Sequence, residues 1–267
     1  MGIDRHVTRQ EMALVAPPIA TKSYHPREHH IVANATIEKL TGAGFQIRNE
    51  RWTLSRKDQL LFGVVDLNLP LARWDSVGGG VTVSVGIRSS YNKQLPFGIV
   101  AGSRVFVCSN LAFAGELTYK RKHTVNGYDT FLHQLDDAIS KLPQYQAVES
   151  ERINSWMNYE MTPEQCNTLL LTLFEEKIIG IRNFHKVMDE FRNPQYQDFY
   201  GKTTVWNLFN RITTAMRERE NNRPLAYASQ ASQIIQRLNN IVEVKATVNT
   251  VSNIVQPLAL TYDPSDD

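Results

Sequence analysis

The sequence predicts an α+β fold, in which an N-terminal helix and an antiparallel sheet of about five or six strands precede a C-terminal helical region. Through residues 81–87, β-branched residues alternate with polar ones, a period of two that is typical of a strand with one buried face. From Asn126 onward, apolar residues recur with the period of about 3.6 that amphipathic helices have. Strands grouped before helices favour this class over a doubly wound parallel sheet.

Changes of pattern divide the chain into four predicted segments. The first is interrupted by Pro17-Pro18 and is expected to be an extended arm, and the last is polar and expected to be loose. The segments are an arm at 1–24, a sheet-containing core at 25–125, a helical region packed on or beside the sheet at 126–242, and a tail at 243–267.

The core is predicted to open with a helix. Pro26 suits the first turn of a helix, because its missing N–H costs nothing there. The helix is expected to reach Thr41 and to end at Gly42 and Gly44, since glycine readily adopts the left-handed conformation of a C-cap. Its inward-facing residues are predicted to be Ile31, Ala35 and Leu40 or nearby neighbours.

The strands are predicted from apolar alternation and from apolar runs between turns. The turn Ser55–Asp58 separates the first two strands, and a loop at 70–80 ends in three glycines before the alternating strand. The predicted strands cover 45–54, 59–69, 81–87, 97–101 and 105–108, and the sheet is expected to close with the basic run Lys120–His123.

The helices after the sheet are predicted from apolar spacing and from capping residues. Thr162, Pro163 and Gln165 combine an N-cap, a proline at the first helical position and the glutamine of a capping box. Helices are expected from Asn126 to about Leu142, from Thr162 to Phe174, from Asn183 to Phe191, from Thr203 or Thr204 onward, and from Pro224 towards Val242.

The formal net charge of +2 hides an asymmetry between the two halves of the chain. Residues 1–125 carry 16 Lys and Arg against 9 Asp and Glu, a net charge of +7, whereas residues 126–267 carry 13 against 18, a net charge of −5. The basic excess indicates an anionic partner for the first half. It is equally consistent with docking of one half onto the other, or of one subunit onto the next.

Composition also bears on where the protein acts. No apolar run approaches the roughly 18 residues that span a bilayer, and no signal-peptide h-region is evident, so no membrane partner is expected. Cys108 and Cys166 are the only cysteines and neither lies in a C-x-x-C pair, which indicates a reducing, cytoplasmic setting.

Catalysis finds little support in the sequence. Glycines 78–80 precede a strand and lack the Lys-Ser/Thr of a phosphate-binding loop. His25 and His29 have the i, i+4 spacing of a metal pair, but no third ligand stands at a clear spacing, so a solvated helix start is the better interpretation. No catalytic residue, metal site or cofactor is predicted, and an enzyme is the third and weakest of our hypotheses.

The basic half interleaves cations with aromatic residues, the combination by which proteins bind single-stranded nucleic acid with little sequence preference. Two structural alternatives stay open: aromatic residues in strands often belong to the core, and a Lys-Arg-Lys run can simply deter edge-to-edge pairing. The candidate nucleic-acid-binding residues are Arg88, Tyr91, Lys93, Arg104, Tyr119, Lys120, Lys122 and His123.

Successive side chains of a strand point to opposite faces of the sheet, so each residue of the basic run can be assigned to one face. Lys120 and Lys122 are predicted to share the solvated face and Arg121 to point to the opposite one. A buried Asp66 would need a partner, so it is expected either to end a strand or to pair with an arginine such as Arg88 or Arg104. Arg121, on the side opposite to the two lysines, is a further partner for such a buried acid.

Four stretches of the chain resemble a family of phage- and plasmid-related proteins that is catalogued only as a domain of unknown function. They are L-F-G-V-V-D-L from Leu61, G-I-R-S-S-Y-N-K from Gly86, A-G-S-R-V-F-V-C-S-N-L-A-F-A-G-E from Ala101 and R-K-H-T from Arg121. The resemblance covers about residues 25–220. It implies no activity, cofactor or catalytic residue, but it does imply a viral or mobile-element context in a bacterial host cell.

These observations favour one class of function over two others. The predicted outline of a helix, a meander and a covering helix is similar to the core of single-strand annealing proteins. Our first hypothesis is therefore a nucleic-acid-binding protein of a phage or mobile element, acting on single-stranded DNA in recombination or replication, cytoplasmic and homo-oligomeric. The second is an oligomeric structural or host-defence-countering protein without catalysis.

Overall fold

The sheet is an antiparallel meander of six strands, in which every neighbouring pair of strands is also consecutive in sequence. The computed structural model describes residues 5–73, 80–105, 111–193, 203–222 and 224–242. The strands are β1 (Arg5–Val7), β2 (Ile47–Ser55), β3 (Leu60–Arg73), β4 (Gly80–Ser90), β5 (Phe97–Val105) and β6 (Leu111–Arg121).

Two helices lie between β1 and β2, and the others follow β6. Among the described residues, no helix is both long and apolar enough to cross a membrane. The helices are α1 (Arg9–Met12), α2 (His29–Gly42), α3 (Gly127–Asn158), α4 (Pro163–Glu175), α5 (Ile181–Arg192), α6 (Val205–Asn222) and α7 (Pro224–Val242).

One face of the sheet, here called the helix face, is turned towards α2 and α3 and holds most of the sheet's share of the core. The register aligns one row of residues across all six strands on this face. That row is Val7, Trp52, Gly63, Ile87, Ile99 and Tyr119. A Cβ on Gly63 would lie 2.0 Å from Cζ3 of Trp52, so the indole ring occupies the space that any larger residue would need.

Helix α3 docks on the helix face through aromatic and polar contacts. The rings of Phe131 and Phe97 lie 5.1 Å apart, which joins α3 to β5. Near the same surface, Lys39 on α2 forms an ion pair with Asp136 on α3 at 2.6 Å. The helix face is therefore a packed interface.

The N-terminal residues are more regular than the extended arm that the sequence predicts. β1 pairs with β2, and α1 begins with a capping box. The Thr8 hydroxyl accepts from the Glu11 N–H at 3.2 Å, and the Glu11 carboxylate accepts from the Thr8 N–H at 2.7 Å. The prediction is wrong for these elements, although the Thr-x-x-Glu pattern is a recognised signal for a helix start.

The α+β class, with an antiparallel sheet followed by helices, is confirmed. On the first helix, Leu40 is buried as predicted, and the neighbours Val32 and Thr36 are buried in place of Ile31 and Ala35. Thr36 is tolerated there because its hydroxyl donates to the Val32 carbonyl at 2.9 Å. Glycines 78–79 and Cys108 lie outside the described residues.

Candidate nucleic-acid interface

The opposite face of the sheet, here called the open face, carries a second row one residue out of step with the first. Its members are His6, Thr53, Phe62, Arg88, Gly98 and Lys120. His6 and Lys120 are exposed, and Thr53, Phe62 and Arg88 are half-buried, so this row meets solvent. Its chemistry is cationic and aromatic.

Arg88 lies across Gly98 towards Lys120. A Cβ on Gly98 would come within 2.7 Å of Arg88 Nε and 2.9 Å of Arg88 Cγ, so the Arg88 side chain occupies space that is free because residue 98 is a glycine. Phe62 is the cross-strand neighbour of Arg88 on the other side. Directly opposed residues in a ladder have Cβ atoms about 5 Å apart, which puts the phenyl ring beside the arginine stem.

The environment of this row disfavours the charge of both cations. Burial lowers the pKa of Arg88. Desolvation lowers the pKa of Lys120, and repulsion from Arg88 lowers it further. Neither residue forms an ion pair or a hydrogen bond with the described side chains. An anion bound between them would relieve the repulsion and stabilise both charges.

More cations lie where the strands turn. In a meander, the β2–β3 turn, the β4–β5 turn and the end of β6 share one end of the sheet, here called the basic end. The exposed cations of the basic end are Arg56, Lys57, Lys93, Arg121 and Lys122. None of the five forms an ion pair with a described residue, although Arg56 donates to the Gln94 side chain and Lys93 Nζ lies 4.9 Å from the centre of the Tyr24 ring.

Three cations elsewhere in the structure do form ion pairs with carboxylates. Lys39, Lys141 and Arg237 each lie within 2.7 Å of an acidic side chain. At the basic end itself, the Asp58 carboxylate forms a bidentate ion pair with Arg5, whose Nε and Nη2 lie 2.8 and 2.9 Å from the two carboxylate oxygens. The basic end therefore keeps its positive charge unneutralised within the described part of the chain, which is the property that phosphate binding requires.

The predicted aromatic members of the interface lie in or under the fold. Tyr91 is 8% exposed and stacks on His29, with ring centres 3.7 Å apart. His123 is 5% exposed, and its Nε2 donates to the Leu95 carbonyl at 3.1 Å. Tyr119 faces the helices, where its hydroxyl donates to Asp137. Because these rings already have partners, none of the three is proposed to stack on a base.

The remaining predicted residues separate into surface positions and one undetermined side chain. Lys93, Lys120 and Lys122 are exposed. Arg104 pairs with Thr82 in the ladder, and its side chain lies outside the described residues.

The alternation predicted at the basic run matches the register. Lys120 lies opposite Gly98 on the open face, and Arg121 lies opposite Phe97 on the helix face. The suggested pairs of Asp66 with Arg88 and with Arg121 are wrong, because neither arginine forms an ion pair with a described residue. Arg121 is exposed, whereas Asp66 is buried and accepts from the Ser84 hydroxyl at 2.7 Å.

Three members of the surface are not among the binding residues that the sequence predicts. Arg56 and Lys57 lie in the turn between the first two predicted strands, and Phe62 lies in the predicted strand at 59–69. A signal for the first two was present: alternate turns of an antiparallel meander lie at one end, so the Arg-Lys turn had to approach Lys93 and Lys122. No signal distinguished Phe62 from the core residues beside it.

Comparison with known proteins found no matching family model, no similar curated protein and no similar solved structure. The resemblance to a phage- and plasmid-related family therefore stays a prediction. Within the described residues, no cluster of three or more His, Cys, Asp or Glu is arranged to hold a metal ion.

Proposed function

We propose that this protein binds single-stranded nucleic acid, most directly single-stranded DNA, with little sequence preference. The observation that carries the proposal is the set of seven cations on the open face and the basic end that form no ion pair with described residues. Phosphates would lie along these cations and release counterions. The phosphate backbone supplies affinity in such an interface but no sequence information.

A single strand is favoured over a duplex because of what accompanies the cations. Phe62 lies half-buried beside Arg88 on a sheet surface, and an aromatic ring there can stack on an unpaired base. Bases inside a duplex are stacked on each other and do not present their faces to a protein. The proposed ligand is therefore a strand that crosses the open face and passes over the basic end.

The wider setting belongs to the same proposal. Annealing or protection of single strands during recombination or replication of a phage or mobile element, in the cytoplasm of a bacterial host cell, is supported only by the resemblance described above. Homo-oligomerisation is supported by the opposite charges of the two halves, +7 and −5, which favour head-to-tail contact between subunits.

Fluorescence anisotropy with a labelled oligonucleotide tests the proposal. We expect binding at low salt, weaker binding at moderate salt because counterions compete, and tighter binding of the single strand than of its duplex. Absence of binding at micromolar protein in low salt would contradict the proposal. Oligomers seen by light scattering in that case would favour the alternative, an oligomeric interaction protein.

A further inference from the structure

A partly open pocket of about 260 Å³ lies beside the basic end, between the N-terminal arm and the β2–β3 turn. It is smaller than the roughly 300–1,000 Å³ clefts that hold drug-sized ligands. The arm supplies one wall with residues 15–18, and the turn supplies the other with residues 57–59. Tyr91 completes the lining.

The contacts around this pocket hold its lining in place. The Tyr91 ring stacks on His29 with an angle of 4° between the planes, and its hydroxyl accepts from the His29 N–H at 2.9 Å. The turn is fixed by the same histidine, because Nε2 of His29 donates to the Asp58 carbonyl at 3.1 Å. Tyr91 and the turn are thus held in place without a ligand.

The turn adopts an uncommon backbone conformation. Arg56, Lys57 and Asp58 have φ angles of 52°, 58° and 63°, although none of them is glycine. Non-glycine residues in the left-handed region are uncommon, and strained backbone of this kind concentrates at functional sites. Here the conformation places Lys57, Asp58 and Gln59 together at one wall of the pocket.

The lining matches the chemistry of a nucleotide. Pro17 and Pro18 offer flat apolar surface for a ring, and the side chain of Gln59 is exposed and hydrogen-bonds to no described residue. A glutamine amide presents donors and an acceptor together, as the Watson–Crick edge of a base requires. Lys57 offers a cation, and Asp58 does not repel a phosphate strongly because Arg5 neutralises it.

We propose that this pocket holds one unpaired nucleobase of the bound strand, with Gln59 on its hydrogen-bonding edge and Lys57 on the adjacent phosphate. The inference rests on the proposed function, since it assigns one subsite of the same interface. It differs from stacking on the open face because the base is enclosed between the prolines of the arm and the turn.

The test compares two strands with the same phosphates, an ordinary oligonucleotide and one made of abasic nucleotides. The whole chain should prefer the ordinary strand, and a base that is stacked and hydrogen-bonded should contribute about a tenfold preference. Gln59→Ala removes the amide, and Ala16→Phe fills the pocket from the exposed arm. Both variants should reduce the preference severalfold and leave the salt dependence unchanged. Gln144→Ala, on the exposed surface of α3, is the matched control.

The possible outcomes distinguish failure of the pocket proposal from failure of the proposed function. Binding that persists with an unchanged preference in both variants overturns the pocket and leaves the proposed function standing. Failure of the unaltered chain to bind either strand overturns the proposed function, and this inference with it. A lower preference in Gln59→Ala and Ala16→Phe, but not in Gln144→Ala, supports the pocket.

Discussion

Two rows of side chains cross the sheet next to each other in the register, on opposite faces, and they have opposite chemistry. The helix-face row contains Trp52 seated on Gly63, and the open-face row contains Arg88 seated on Gly98. Each glycine makes room for a large cross-strand neighbour. The indole is 2% exposed and packed, whereas the arginine is half-buried and has no carboxylate partner in the described structure.

This difference indicates which row is scaffold and which is available for binding. On the helix face, the row is enclosed by α2 and α3 and its residues serve packing. On the open face, an unpaired cation remains desolvated beside a second cation, which costs free energy that folding alone does not require. Such a cost is expected where a ligand of opposite charge compensates for it.

Two histidines, His29 at the start of α2 and His123 just after β6, are buried, and burial disfavours their protonation. Nε2 of His29 and of His123 each donates to a backbone carbonyl, so Nδ1 is the atom that protonation would use. In both rings Nδ1 is buried without a hydrogen-bond partner. Burial accordingly lowers the pKa of both residues to about 4.

Acidification should therefore produce the largest change in stability. Between pH 6.5 and pH 4 the unfolded chain takes up protons that the folded chain does not, so the free energy of unfolding should fall as pH falls through this window. Each histidine can account for up to about 3 kcal/mol. Urea titrations at several pH values would measure the decline.

The control for this decline compares two histidines. His123→Gln should make the pH dependence shallower, whereas His133→Gln, at an exposed position of α3, should leave it unchanged. An equally steep decline in His123→Gln and in the unaltered chain would contradict the assignment to the buried ring.

Substitutions of Gly63 and Gly98, the glycines that make room for Trp52 and Arg88, provide the next test. In Gly63→Ala the new methyl group would collide with a packed indole, and overpacking of this kind should cost about 3 kcal/mol. In Gly98→Ala the obstacle is a flexible arginine that can swing into solvent, so the loss should be about 1 kcal/mol or less. Urea unfolding measures both. Similar losses in the two variants would show that the open face is as tightly packed as the helix face.

Local signals explain what could be predicted from the sequence. The capping box at Thr162 and the helix start at Pro224 depend only on neighbouring residues, and both are found where expected. The alternation of residues 81–87 likewise predicted a strand, and Val83 and Val85 are buried as expected, although Thr82 and Ser84 on the opposite side are buried as well. These elements need no information about distant parts of the chain.

The site was predictable only in part, because its members depend on register and distant contacts. Tyr91 reads as an exposed turn residue until His29, from another element, stacks on it. His123 belongs to a basic run by sequence, but its hydrogen bond to Leu95 places it inside. The space that Arg88 occupies depends on which residue of β5 lies opposite it. The sequence pattern of one β-strand does not specify that pairing.

The open-face double variant is expected to show the smallest change in stability and the most informative change in binding. Arg88→Gln with Lys120→Gln removes two open-face cations that have no ion-pair partner among described residues, so the free energy of unfolding should shift by no more than about 0.5 kcal/mol per site. Lys39→Gln with Arg237→Gln removes the same charge from two ion-paired positions and is the matched control.

The salt dependence of single-strand binding tests the central claim most directly. If Arg88 and Lys120 each contact a phosphate, the slope of log affinity against log salt should fall in magnitude by about 1.4 in the open-face double variant, since each contact to a single strand is worth about 0.7. The control variant should keep the slope of the unaltered chain. A folded open-face double variant with an unchanged slope would contradict the claim that this row binds the strand.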